Sequence, residues 1–382
     1  VRLAIIGVIL LCAGAIAALV GVLPTDAVWA TGDRIWPILL FVVAITVVAA
    51  LAATAGLFDV IAAFLAKISR GHTSALWLLV VLLAVVSTAF LSLDTTAVLL
   101  TPVVIGVAKA NHLPPLPFAL TTVWLANTAS LVLPVSNLTN LLAVHRLGSV
   151  HPIEFMQLLG GSALVAIVVT VAILALVNRR SLTGRFEPAP PPVIADRPLL
   201  VFAACVVVAL LPLLVSGIAP WISASIAAVL LVIAFEWRAP RTLRLSMIPW
   251  QLVVFAAGLF LAAGALQALG AGAFISAVAG RGDDLFALWR LAGTALVGAN
   301  AIDNLPAYVA LENTADTPAR LGALLVGVNA GPLITPWASL ATLLWHHRIV
   351  DAGIQISWGR YALLGLCAAP VIVLLAVVPL AL

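Results

Sequence analysis

Apolar runs of about 20 residues, the length that carries an α-helix across a bilayer, recur from one end of this 382-residue chain to the other. They are the feature that most limits what the chain can become. Only 8% of the residues are charged and 64% are hydrophobic, with mean hydropathy +1.25, where a soluble domain carries about 25% charged residues. The expected fold class is an all-α polytopic membrane protein with no soluble domain. The first run, Leu3 to Leu23, is too long for the apolar core of a signal peptide, about 7–15 residues, and is expected to be a retained helix. Cys12, Cys205 and Cys367 lie far apart inside apolar runs, with neither disulfide nor metal spacing.

Two of the runs are interrupted by short polar breaks, Ser92-Leu93-Asp94-Thr95-Thr96 and Asn300-Ala301-Ile302-Asp303-Asn304-Leu305-Pro306. The arms on either side are short for two full crossings, so residues 73–110 and 285–316 are expected to be re-entrant hairpins. Residues 118–145 are interrupted at Asn127-Thr128, Pro134 and Ser136-Asn137, and residues 320–346 at Gly331-Pro332 and Pro336, the pattern of broken helices. Full helices are expected near 3–23, 36–57, 160–178, 198–216, 219–236, 250–270 and 359–382. Counted with the two broken helices they make about nine spanning helices plus two hairpins. A loop with Asp26, Asp33 and Arg34 separates the first two. Pro152 to Leu159 is expected to be a short amphipathic piece at the interface, and 179–197 an extended proline-rich linker.

The second half repeats the first. Pro134-Val-Ser-Asn-Leu-Thr-Asn-Leu-Leu-Ala-Val-His-Arg146 aligns without gaps to Pro336-Trp-Ala-Ser-Leu-Ala-Thr-Leu-Leu-Trp-His-His-Arg348. Leu93-Asp94-Thr95 lines up with Ile302-Asp303-Asn304, and Phe41 to Lys67 with Phe255 to Arg281, Gly56 falling on Gly270. The expected organisation is a first repeat at 1–178, the linker at 179–197, a linking helix at 198–216 and a second repeat at 217–382. One extra crossing between the repeats inverts the second. With the N-terminus cytoplasmic, Arg2, Lys67, Arg70, Lys109, Arg179, Arg180, Arg185, Arg197, Arg238, Arg241, Arg244, Arg348 and Arg360 fall inside, and only Arg34, Arg146, Arg281 and Arg320 outside. That bias obeys the positive-inside rule, and the net charge of +4 thus points to membrane orientation and to no nucleic-acid partner. Inverted repeats with broken helices point to a secondary transporter with its site near the midplane.

Non-helical backbone at membrane depth survives only inside protein or beside a water-filled cavity, so the hairpin tips are expected to face each other and the broken helices. The expected substrate- or ion-binding set is Asp94, Thr95, Thr96, Asn127, Ser136, Asn137 and Asn140 from the first repeat, with Asn300, Asp303, Asn304, Asn329, Ser339 and Thr342 from the second. Asp94 and Asp303 carry most weight, because an acidic side chain at this depth costs a few kcal/mol and is by default functional. They are the expected proton-coupling groups, although each also suits the cap of a returning helix. His145, His347 and Arg348 end helices near water, where anchoring is the simpler role. No nucleophile–base pair and no metal-ligand set occurs, so no enzyme and no cofactor beyond a coupling ion, H+ or Na+, is expected.

Leu93-Asp-Thr-Thr-Ala-Val-Leu-Leu-Thr-Pro102, Asn127-Thr-Ala-Ser-Leu-Val-Leu-Pro-Val-Ser-Asn-Leu138 and Gly327-Val-Asn-Ala-Gly-Pro332, followed by Ser339-Leu-Ala-Thr-Leu-Leu-Trp345, resemble the arsenite efflux permeases of the ArsB type, in the ion transporter superfamily. The resemblance covers almost the whole chain. It implies the two-hairpin inverted-repeat fold and export of arsenite or antimonite across the cytoplasmic membrane in exchange for protons. It also implies a soluble ATPase partner in some members and, in superfamily relatives, a homodimer. The tips depart from the family pattern. Leu93-Asp94-Thr95-Thr96 stands where Asn-Asp-Gly-Ala is frequent, and Asp303-Asn304-Leu305-Pro306 where Asn-Asn-Leu-Pro is common. Rival readings are a sodium/proton antiporter using the same carboxylates, a carrier of dicarboxylate or another anion, and a channel-like pore.

Overall fold

The computed structural model describes residues 2–148, 151–190, 192–270 and 277–382. Among these the regular structure is helical, with one isolated backbone bridge between His72 and Arg185. The first half contains α1 (Arg2–Leu19), α2 (Thr25–Thr54), α3 (Leu57–Ile68), α4 (Thr73–Leu91), α5 (Leu93–Ala110), α6 (Pro115–Thr128), α7 (Leu138–Arg146) and α8 (Pro152–Leu182). The second contains α9 (Arg197–Val215), α10 (Pro220–Arg238), α11 (Trp250–Ala268), α12 (Leu285–Ile302), α13 (Asn304–Leu311), α14 (Pro318–Ala330), α15 (Leu340–Asp351) and α16 (Trp358–Val377).

Nine helices among the described residues are long and apolar enough to cross a membrane. The number matches the sequence expectation, but the members differ. The hairpin arms α4, α5 and α12 qualify by length, whereas the four halves of the broken helices do not.

Two expected boundaries move. The loop expected at Asp26, Asp33 and Arg34 is helical, because α2 begins at Thr25 behind Pro24 and carries Pro37 in its interior. What permits the charges is a partner: the Arg34 guanidinium donates to both oxygens of Glu312 at 3.0 and 2.6 Å. The interfacial piece expected at 152–159 is instead the first turns of one 31-residue helix, α8. His151 caps it, its Nδ1 accepting from the Ile153 N–H at 3.3 Å, while the Glu154 carboxylate accepts from the His151 N–H at 3.0 Å. That reciprocal pair satisfies two donors a helix start otherwise leaves open, and α8 continues unbroken through the Gly160-Gly161 pair.

Hydrogen bonds fix where the hairpins enter. The segment after α8 runs past both ends of the first. The Thr73 N–H donates to the Gly184 carbonyl at 3.2 Å, the Phe186 N–H to Gly71 at 2.8 Å, and the Ala189 N–H to Asn111 Oδ1 at 2.8 Å. α4 therefore starts, and α5 ends, on the same face, here called the linker face. The second hairpin is tied at its own two ends. The Thr317 hydroxyl donates to Asp283 at 2.8 Å, and the buried Arg320 guanidinium donates to the carbonyls of Gly280, Gly282 and Thr314 at 2.8, 2.7 and 2.9 Å. It enters from the opposite face, since α2 carries Arg34 to Glu312 at one end and reaches the linker residues 192–196 at the other.

α6 and α14 occupy the centre and are buried along nearly their whole lengths. α1 lies along α11 and α10 along α2. Gly7 is required in the first of these contacts, because a Cβ there would meet the Phe255 backbone at 2.7 Å, the small-residue approach that lets membrane helices pack closely. Leu164 and Val168 on α8, Val208 on α9, Ile226 and Val229 on α10 and Leu363 on α16 stay exposed. In lipid these outward apolar faces are already in their preferred solvent.

Candidate functional site

Each hairpin turns on a single residue with left-handed backbone. Ser92 has φ +95° and ψ 160°, and Asp303 has φ +92° and ψ 153°. An L-residue with a side chain seldom holds such angles, and they cluster where function keeps them. Each residue caps the helix it starts: Ser92 Oγ accepts from the Thr95 N–H at 3.4 Å, and Asp303 Oδ1 from the Leu305 N–H at 3.1 Å. The backbone therefore matches Asp303 with Ser92, two residues before the partner that sequence alignment gave it. Asp94 lies inside the first turn of α5, and its positional counterpart in α13 is Leu305. A π-helical turn, Thr96–Leu100, comes immediately after, just ahead of Pro102, whose ring and missing N–H disfavour regular α-helix in the preceding turn.

The breaks in the long helices hold the tips. The Ser136 hydroxyl donates to the Ala89 carbonyl at 2.9 Å, and the Thr335 hydroxyl to the Asn300 carbonyl at 2.7 Å. Ala89 and Asn300 stand equally far before Ser92 and Asp303. Asn300 is fully employed: its amide donates to Leu296 and Gly331, each at 2.9 Å, and its Oδ1 accepts from the Ile334 and Thr335 N–H groups, each at 3.1 Å. Thr96 is held inside its own hairpin, accepting from Thr88 and donating to Ser87, each at 2.9 Å.

Behind the tips, Asn329 of α14 clasps the first broken helix. Its Oδ1 accepts from Asn137 Nδ2 at 2.9 Å and from the Thr139 hydroxyl at 2.8 Å, and its own amide donates to Asn140 Oδ1 at 2.7 Å. Asn140 in turn donates to Ser130 and Leu133 at 2.6 and 2.9 Å. Every member is buried.

A cavity of about 60 Å³ lies between the two tips, lined by Ser92, Asp94, Asp303, Asn304 and Asn137 on its polar side and by Phe41 and Phe255 among its apolar walls. The Asp94 carboxylate and the Asn304 amide make no side-chain hydrogen bond to another described residue, so their bonding capacity is directed to the cavity. Among the described residues, no lysine, arginine or histidine lines it. A second cavity of about 460 Å³ also reaches Asp94, together with Thr95, and runs past Trp250 and Leu344 to Arg348 on the linker face.

Of the residues expected at the site, Asp94, Asn137, Asp303 and Asn304 line the inner cavity and Thr95 lines the outer one. Thr96, Ser136, Asn140, Asn300 and Asn329 line neither; they position the tips and the broken helices. Asn127 donates to Val123 within its own helix at 2.9 Å, and Ser339 caps α15, accepting from the Thr342 N–H at 3.2 Å while the two hydroxyls pair at 3.1 Å. Sequence reasoning passed over Ser92, Thr46 and the aromatic pair Phe41 and Phe255 as lining residues. The aligned phenylalanines were a usable signal, since both fall at matching points of the repeat.

Two opposed re-entrant hairpins meeting broken helices around a cavity that carries two carboxylates define a membrane transporter of small solutes. The chain belongs to the citrate transporter family CitMHS, whose family model matches residues 2–342, and it is a multi-pass protein of the cell membrane. It is 28% identical over 378 residues to an arsenical pump membrane protein of Yersinia enterocolitica, covering 92% of this chain and 87% of that one. The protein of the same name from Escherichia coli K12 is 29% identical, covering 91% and 87%, and a 46 kDa membrane protein of Mycobacterium leprae is 25% identical, covering 89% and 85%. Among solved structures the fold is similar to the Alcanivorax borkumensis YdaH transporter, described as having an unusual topology. The TM-score is 0.58 over 100% of this chain and 97% of that one, at 16% identity.

Proposed function

We propose that the protein exports arsenite or antimonite across the cell membrane in exchange for protons, with the cavity between the hairpin tips as the cargo site. One observation carries the reading: the inner cavity presents two carboxylates and two side-chain amides and no cation. Arsenite at neutral pH is an uncharged trihydroxide. Its O–H groups donate to Asp94 and Asp303, and its oxygens accept from Asn304 and Asn137, so it needs no cationic cage. The relatives named arsenical pump membrane proteins, which match over most of both chains, support the same cargo. The excess of basic residues at the linker face supports a cytoplasmic position for that face. Cargo then enters through the outer cavity, and protonation of Asp94 or Asp303 weakens its hold when the site opens opposite.

Asp94→Asn and Asp303→Asn should each abolish proton-driven arsenite uptake by everted vesicles, and unchanged transport in both variants rules the assignment out. The two carboxylates facing the inner cavity also favour a second reading, a sodium/proton antiporter that uses them for both ions. Sodium-induced proton movement in a protein that confers no arsenite resistance on a strain lacking efflux would select it. A carrier of citrate or another multiply charged anion fits least, because the ionisable side chains lining the inner cavity are both carboxyl groups.

A further inference from the structure

The two cavities share four lining residues, each from a different element: Thr46 of α2, Asp94 of the first tip, Leu252 of α11 and Leu340 of α15. All four are half-buried, the exposure of side chains that face cavity rather than bulk solvent or packed core. These shared residues lie between the inner cavity, which Asp303 lines, and the outer one, which Arg348 lines. We propose that these four residues form a selectivity threshold that admits small, uncharged, hydroxylated solutes and turns away anions and bulkier molecules.

The side chains set the chemistry. Leu252 and Leu340 offer a passing solute no hydrogen bond, so its hydration on that side must be shed without replacement, at a cost of a few kcal/mol per polar group. Asp94 accepts from a solute O–H or N–H. The Thr46 hydroxyl already donates to the Val42 carbonyl at 2.7 Å, so toward the passage it too acts as an acceptor. A neutral solute rich in O–H groups exchanges water for these two acceptors. A carboxylate or sulfonate has no donor to give them and meets the Asp94 charge at close range. Bulk is limited separately, by the two leucines, and the outer cavity can collect solutes that the inner one, far smaller, never receives. The inference rests on reading the inner cavity as the cargo site, and it names Leu252 and Leu340 as specificity-determining residues.

The test needs no arsenite. In a background with Cys12, Cys205 and Cys367 replaced by alanine, Asn304→Cys places a thiol in the inner cavity and Ser246→Cys a control thiol in the outer one. Purified protein is treated with methyl methanethiosulfonate, small and uncharged, or with its sulfonatoethyl analogue, larger and anionic. Relative to the control, the thiol at 304 should favour the methyl reagent by about tenfold or more, a factor that charge repulsion near a protein surface readily supplies. Leu340→Ala and Leu252→Ala should lower that preference by about threefold by admitting the bulkier reagent, leaving the part that Asp94 repulsion sets, and Leu340→Phe should slow both reagents; the phenylalanine variant keeps the test open if the alanine variants do not fold. Equal reactivity with the native threshold overturns the proposal. So does a thiol at 304 that the methyl reagent never reaches, or a preference that no substitution at 340 or 252 alters. A protein that keeps the reagent preference but carries no arsenite refutes the cargo and spares the threshold.

Discussion

Ser92 and Asp303 hold the same backbone conformation, φ +95° and +92° with ψ 160° and 153°, each as the turn residue of a hairpin and each as the cap of the helix that returns. One uses a hydroxyl and the other a carboxylate, so a carboxylate is not needed to make the turn. Asparagine tolerates left-handed backbone better than most residues and caps as well as aspartate. Asp303→Asn should therefore melt within a degree or two of the native protein while losing coupled transport. Asp303→Val combines a β-branched residue at positive φ with a lost cap, and should cost about 3 kcal/mol. Thermal unfolding in detergent, run beside the vesicle assay, separates the two effects. If the asparagine variant is as unstable as the valine one, the carboxylate is structural and its transport defect says nothing about coupling.

The Asn329 clasp makes a prediction of the opposite kind. Asn329→Ala leaves the Asn137 amide, the Thr139 hydroxyl and the Asn140 carbonyl without the partners they now have, in a region without exposure. Each buried orphan costs about 1–3 kcal/mol, so the loss should reach about 3 kcal/mol or more and show as poor accumulation and early melting. Asn304→Ala removes an amide that faces the cavity and has no such dependants. Although Asn304 is itself buried, its loss should cost only about 1 kcal/mol, the centre of single-substitution losses, and act mainly on transport. Melting curves of the two variants side by side decide it; comparable destabilisation in both would mean Asn304 is also a structural residue.

The same contrast explains what the sequence could convey. A polar break in a run of leucine, valine and alanine is visible without a structure, because backbone in lipid must be accounted for wherever a helix stops. Both hairpins and both broken helices were legible for that reason. Which way a polar side chain points was not. Asn329 and Asn304 look alike in a greasy sequence, yet one knits two broken helices and the other faces a cavity. The difference depends on partners about 190 residues away. Asp94 and Asp303 look like counterparts until the backbone shows the turn falling at Ser92. The charges at Asp33 and Arg34 resemble a loop for want of knowing that Glu312 awaits the arginine. Thr46 gave no signal at all, being one of the four threonines of α2, set in an apolar stretch.

At the linker face, Asp196 caps α9, accepting from the Leu199 N–H at 3.0 Å, and receives the Arg238 Nε–H of α10 at 2.8 Å. The Arg238 hydrogen bond, and after it the Leu199 N–H, holds the Asp196 carboxyl below its ordinary value. A carboxyl depressed in the folded state contributes stability that is complete above its unfolded value, near 4, and fades as pH falls through the folded value. Arg238→Gln should therefore lower the melting temperature slightly at pH 7, and the difference from native protein should shrink progressively as pH falls below about 4. A difference that persists undiminished in acid would assign the effect to packing of the arginine stem. The pair is exposed, so salt should shrink the effect as well.

The Arg34–Glu312 pair differs from that one in burial, and its energetics should differ accordingly. It joins α2 to the far end of the second hairpin by two parallel bonds, with the glutamate side chain 7% exposed and the arginine 21%. Two charges drawn together out of water gain little net stability, but a single one left behind is expensive, about 3–5 kcal/mol when its partner is removed. Arg34→Met and Glu312→Leu should each destabilise by about that amount, and the double variant by much less than their sum, since it buries no charge. A double-mutant cycle read from unfolding in detergent measures the coupling. Additive losses would show that the two charges are separately solvated and that the bidentate contact does not join helix to hairpin. A strong coupling would identify the contact as the tie that fixes the second tip, and with it Asp303, against α2, the helix that carries Thr46 at the threshold.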